Sequence, residues 1–144
     1  MTPTLRRLLH AAILVPLALL TFNAHGQMKD LNPKATEIAQ LPTFCWAQMG
    51  VPNIKGPEFQ FPRDCGPGIN HYCPGLIHLM RAKNAPKASE RQRLLKEAES
   101  DVRYTEEAIQ PFPSFSIRRH VEATKADVGQ LRAVYGANRP RKKY

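Results

Sequence analysis

Backbone freedom is most restricted between residues 42 and 74. Pro42, Pro52, Pro57, Pro62, Pro67 and Pro74 stand in that window, with Gly50, Gly56, Gly66 and Gly68 among them. Proline removes a backbone donor and fixes φ, so neither a regular helix nor a central strand survives this density. The same window carries Phe44, Trp46, Phe59, Phe61 and Tyr72. A disordered linker rarely holds so many aromatics. The window therefore reads as an ordered loop, pinned by its aromatic side chains against helices. Val51-Pro52-Asn53 and Cys65-Gly66-Pro67-Gly68 are its turn signals. Upstream, Ala35, Ile38, Ala39 and Leu41 make one short apolar face that Pro42 ends.

Beyond the loop, apolar residues recur at helical spacing. Asn70 can cap a first helix carrying Tyr72, Leu76 and Met80, with Ile77 and Leu79 beside them, and Ala85-Pro86 stops it. Ser89 followed by Gln92 has the form of a capping box for a second helix. There Leu95, Ala98, Val102, Thr105 and Ile109 fall on one face, while Glu99 and Arg103 make an i,i+4 pair on the other. Gln110-Pro111 closes it. Ser114 or Ser116 can cap a third helix, whose stripe is Ile117, Val121, Thr124, Val128, Leu131 and Tyr135, with Gly136 at C′. The short link between the last two helices predicts an antiparallel pair. No segment alternates as a strand would. The expected class is all-α, with three main helices.

The first residues are set apart. Arg6 and Arg7 precede an uncharged run from Leu8 to Phe22, and Ala24-His25-Gly26 offers small residues before Gln27. That order is a secretory signal peptide. A membrane anchor is the competing reading, but the tightly apolar part is about half of the roughly 20 residues a span needs. Pro16 also interrupts it. The expected organisation is a leader over 1–26, a Pro/Gly/aromatic-rich segment over 27–68, a helical domain over 69–136 and a basic tail over 137–144. Periplasm is the expected compartment and the extracellular medium the second, with no stable membrane anchor. Losing residues 1–26, with their two arginines and no acid, lowers the formal charge from +9 to +7.

Outside the reducing cytoplasm Cys45, Cys65 and Cys73 can oxidise, and their odd number leaves one thiol over. Cys65 and Cys73 bracket a tight, turn-rich stretch, so this pair is the favoured disulfide. Cys45 with either of the others remains the alternative. Cys65, His71, Cys73 and His78 also form a two-sulfur, two-nitrogen set of the kind that suits zinc or copper, though without finger spacing. A thiol- or metal-handling envelope protein built on Cys45, Cys65, His71 and Cys73 is therefore the alternative functional reading. No catalytic residue and no cofactor is assigned. Ser114 and Ser116 read as caps, Glu106-Glu107 as a solvated face, and Cys73 and His120 have nothing to unite them as a nucleophile pair. Arg139, Arg141, Lys142 and Lys143 give the tail an attraction to anionic surfaces, beside the plainer role of solubility. Nucleic acid is a poor partner, because basic and aromatic residues do not alternate for base stacking.

Val128-Gly129, with Gly136 seven residues on, resembles the first-helix pattern of tetratricopeptide repeats. Gly75 followed by Leu76 and Leu79 resembles the same slot, and Ala98 before Val102 resembles the second helix of a repeat. Lys125 and Arg132 depart from the pattern. The resemblance covers residues 69–136. It implies a helical hairpin, close helix packing at Gly129, and protein–protein binding in a bacterial envelope rather than chemistry. A plain three-helix domain is the other reading. On the leader assignment the exported chain begins at Gln27. N-terminal sequencing of the exported protein checks this, and a chain starting at Met1 overturns it.

Overall fold

The computed structural model describes residues 31–62 and 67–137. The expected leader, Cys65 and residues 138–144 of the basic tail lie outside them. Among the described residues the chain is helical, without strands. A single turn, α1 (Ala35–Ile38), leads into 3₁₀ turns at Thr43–Cys45, Pro57–Phe59 and Pro67–His71. Three longer helices follow: α2 (Tyr72–Asn84), α3 (Ala88–Ile109) and α4 (Arg118–Ala137). The all-α expectation holds.

Helix starts differ from the capping signals by a residue or two. His71, not Asn70, is the N-cap of α2. Lys87 caps α3 with no side-chain bond, which puts Ser89 inside the first turn and leaves the expected box unformed. Pro86 explains the shift, since it ends α2 and lets α3 begin almost at once. Helix α4 runs through Ala137, so Gly136 lies within it. Between α3 and α4, Arg118 donates to the carbonyl oxygens of Ile109 and Phe112, at 2.6 and 3.0 Å, a second donor to carbonyls that also accept the Phe112 and Phe115 amides.

The apolar stripes are those the spacing marks. On α3, Leu95, Ala98, Val102, Thr105 and Ile109 are all buried. Ile117, Val121, Thr124 and Val128 are buried at the α4 interface, with Leu131 and Tyr135 packed beside them. Helix α3 packs against both α2 and α4, while α2 and α4 meet at only a few points. One such point is Tyr72. The single Thr124 hydroxyl proton goes to the His120 carbonyl oxygen, so the Tyr72 hydroxyl donates to Thr124 Oγ1 at 2.9 Å. Burial pushes the Tyr72 phenol up.

The expected aromatic loop is present. Phe44 stacks on Tyr72 and touches Phe61 and His120, and Trp46 packs on Phe59. The Trp46 indole donates to the Leu41 carbonyl at 3.2 Å. Cys45, fully buried, is bonded to Cys73. This corrects the favoured Cys65–Cys73 pairing: the Cys73 sulfur is taken by Cys45. Aromatic packing of Phe44 on Tyr72 delivers the neighbouring residue, Cys45, to the first turn of α2. Closing a loop of this separation, 28 residues, limits the unfolded chain by about 3–4 kcal/mol.

Arg81 fastens the start of the described chain to α2. Its guanidinium donates to both Glu37 carboxylate oxygens, at 2.7 and 2.8 Å, and to the carbonyls of Leu31 and Asn32. The Arg81 hydrogen bond is the largest cause of the fall in the Glu37 pKa from 4.5 to about 2. A depressed carboxylate contributes stability that is fully present above its unfolded value and is lost as pH falls through its folded one. The clamp should therefore weaken between pH 4.5 and about 2. Replacing Glu37 by Gln should flatten that acid limb in an unfolding titration, and an unchanged limb would count against the clamp.

Two glycines separate sharply. A Cβ at Gly129 would meet nothing within 4 Å, whereas one at Gly75 would lie 3.0 Å from Asp101 Cβ and 3.5 Å from Val102 Cγ2. The close approach expected at Gly129 is thus made at Gly75, between α2 and α3. Gly129 sits on an exposed face, at the edge of a groove that Val102 and Val128 also line. Glu99 likewise reaches across to Arg132 instead of along α3 to Arg103. Gly129→Ala should stabilise by about 1 kcal/mol through helix propensity. Gly75→Leu should cost roughly 1–3 kcal/mol or more by overpacking. Denaturant melts of the two variants should move in opposite directions, and a shared direction would refute the assignment.

Candidate functional site

The α2–α3 contact at Gly75 builds a polar cluster. His71, Gly75 and His78 lie at i, i+4 and i+7, so they share one stripe facing α3. Glu97, Asp101 and Tyr104 make the matching stripe on α3. The stripes run antiparallel, pairing His71 with Tyr104, Gly75 with Asp101 and His78 with Glu97. With no side chain at Gly75, Asp101 enters between the two histidines. Its Oδ1 accepts from His71 Nδ1 at 2.9 Å, and its Oδ2 accepts from His78 Nδ1 at 3.1 Å. Asp101 is 7% exposed. A buried carboxylate needs such donors, since an unpartnered one is costly to desolvate.

Orientation follows from these bonds. A carboxylate only accepts, so each ring places its Nδ1–H on Asp101 and turns Nε2 elsewhere. His78 Nε2 faces Glu97 Oε2 at 3.7 Å, beyond hydrogen-bond range. Beside it lies a cavity of about 420 Å³, lined by Pro74, His78, Arg81, Arg93, Glu97 and Asp101 among others. At the other end the Tyr104 ring rests on His71 with centroids 4.3 Å apart, and Tyr104 is 50% exposed.

The site residues named from sequence are only partly brought together. Cys45 and Cys73 meet, but as a disulfide, which removes both as thiolate ligands for the alternative metal set. His71 and His78 do share a face, though their second partner is Asp101 and not sulfur. Cys65 lies outside the described residues. Among the described residues no group of three or more His, Cys, Asp or Glu is placed to hold a metal ion. Asp101 was missed because it sits next to Val102 and reads as part of the charged face. Its spacing from Leu94, Ala98 and Thr105, all buried, was the available signal.

No family model, no curated protein and no solved structure matches this chain. No helix among the described residues is long and apolar enough to cross a membrane.

Asp101→Ala strands two Nδ1 donors in the α2–α3 interface. The expected loss is about 2–4 kcal/mol, the penalty for unsatisfied buried polar groups. Asp101→Asn keeps an acceptor for one ring and should lose less. Urea unfolding of both variants measures the order, and equal losses would remove the two-histidine role.

Proposed function

We propose that this is an exported, disulfide-stapled helical module that acts by binding another protein in the bacterial cell envelope. The observation that carries the proposal is Tyr104. A half-exposed tyrosine is an effective interface anchor, because it offers a large amphipathic surface with little rotamer freedom to lose. Tyr104 is further held by its contact with His71, which Asp101 holds in turn. A ring already fixed in place gives up less entropy on association.

Two features support the same reading. The stacking of α2, α3 and α4, with the middle helix between its neighbours, suits a tetratricopeptide-like array better than a closed bundle. Its close-approach slot is Gly75, with Ala98 and Val102 on the facing helix. The buried Cys45–Cys73 bridge suits an oxidising compartment such as the periplasm, as does the leader sequence.

A photo-reactive benzophenone residue at position 104 tests the proposal in the native cell. It should yield one discrete crosslinked protein, while the same residue at exposed Gln130 on α4 yields none. Tyr104→Ala should weaken binding of that protein by roughly ten- to a hundredfold, the range of an interface anchor. Crosslinking equal at both positions, or absent at both, overturns the assignment.

A further inference from the structure

The α3–α4 seam carries a ladder of cross-helix ion pairs. Lys125 on α4 donates to Glu106 on α3 at 2.6 Å, and Arg132 pairs with Glu99. From one rung to the next the chain moves seven residues back along α3 and seven forward along α4, which is two turns. Two further turns back along α3 stands Gln92, where the earlier rungs have glutamate. That turn of α3 therefore turns no acid toward the seam.

At that end of the seam lies a groove of about 690 Å³, whose charged lining is Arg93, Lys96 and Arg132. Gln92, Leu95 and Tyr135 complete most of its wall, and no acidic residue lines it. Arg93 is paired with Glu97 and Arg132 with Glu99. Among the described residues no carboxylate pairs with Lys96. The Arg91 guanidinium lies 4.5 Å above the Tyr135 ring and fixes that wall.

We infer that this groove is a docking surface for an acidic segment of a partner protein, whose carboxylate takes the place left open at Gln92. The inference rests on the protein-binding reading and names the chemistry of the partner. A glutamate or aspartate set beside Gln92 reaches Lys96 and Arg132, and an adjoining apolar side chain covers Leu95 and Tyr135. Positioned cations of this kind set the orientation and the on-rate of an acidic ligand.

The test uses the full exported chain and a fluorescein-labelled peptide of alternating glutamate and leucine, with its glutamine counterpart as control. The glutamate peptide should bind in a salt-sensitive way, and the glutamine peptide should not. Amide shifts on binding should centre on residues 92–96 and 132–135. Gln92→Glu, which fills the open rung from within, and Lys96→Glu should each weaken binding at least tenfold. Arg103→Glu changes the net charge as much as Lys96→Glu, outside the groove, and should leave binding unchanged. Equal weakening by Arg103→Glu would reduce the effect to net charge and overturn the inference. So would shifts centred elsewhere, or phosphatidylglycerol vesicles binding in a Lys96-dependent way while the peptide does not. Crosslinking from position 104 is read separately, so its failure with peptide binding intact falls on the Tyr104 proposal alone.

Discussion

The Cys45–Cys73 bridge is the constraint on which most of the structure hangs. Cys45 belongs to a loop that prolines keep out of regular structure, and Cys73 belongs to the first turn of α2. Joining them gives an irregular segment a fixed address. Phe44 packs on Tyr72 beside the bridge, and Tyr72 reaches Thr124 on α4, so the bridge locks in how the loop meets both helices. His71 precedes Tyr72 in the same turn and carries the contact to α3. A chain of this size buries a limited core, and one covalent link of about 3–4 kcal/mol is a large share of a small domain's net stability.

The second constraint is an absence. Gly75 lets α3 approach until a Cβ would stand 3.0 Å from Asp101 Cβ. That approach makes the polar cluster possible, since any larger residue would push Asp101 away from the two histidines. The same glycine weakens α2 as a helix by about 1 kcal/mol. The hydrogen bonds to Asp101 and the burial of Ala98 and Val102 against it offset that loss.

Much of this fold is legible in the sequence, for a physical reason. Burial follows periodicity, and the stripes of α3 and α4 keep strict helical spacing. The aromatic loop was legible as well, because so many large rings cannot be left in water. The disulfide partner was not. Loop length favours Cys65 with Cys73, but the choice is made by Phe44 packing on Tyr72, a contact between residues far apart in sequence. Gly129 misled for a related reason: its position beside Val128 suggested a seam, yet which side of the seam faces solvent depends on where the neighbouring helix lies. Asp101 was hidden because a charge in the run Glu99-Ser100-Asp101 looks solvated until its donors, 23 and 30 residues away, are brought to it.

The buried cluster also answers a question that the apolar stripes leave open. The α3 stripe repeats at intervals of three and four, so Leu95, Val102 and Ile109 are seven apart. A two-turn slip of α2 along α3 would still set apolar residues against apolar residues. Oily contacts alone therefore discriminate poorly between registers. Asp101 removes the ambiguity. Slipped two turns toward the end of α2, Asp101 would face the Ala82 methyl instead of Gly75; slipped the other way it would lie beyond the start of the helix, and either way its carboxylate and both imidazoles would lose their partners. A single polar contact inside an apolar interface is the best-attested way to choose one register among several. The register so chosen also sets His71 beneath Tyr104. The position of the exposed ring is thus decided on folding, by a glycine and a carboxylate that never reach the surface.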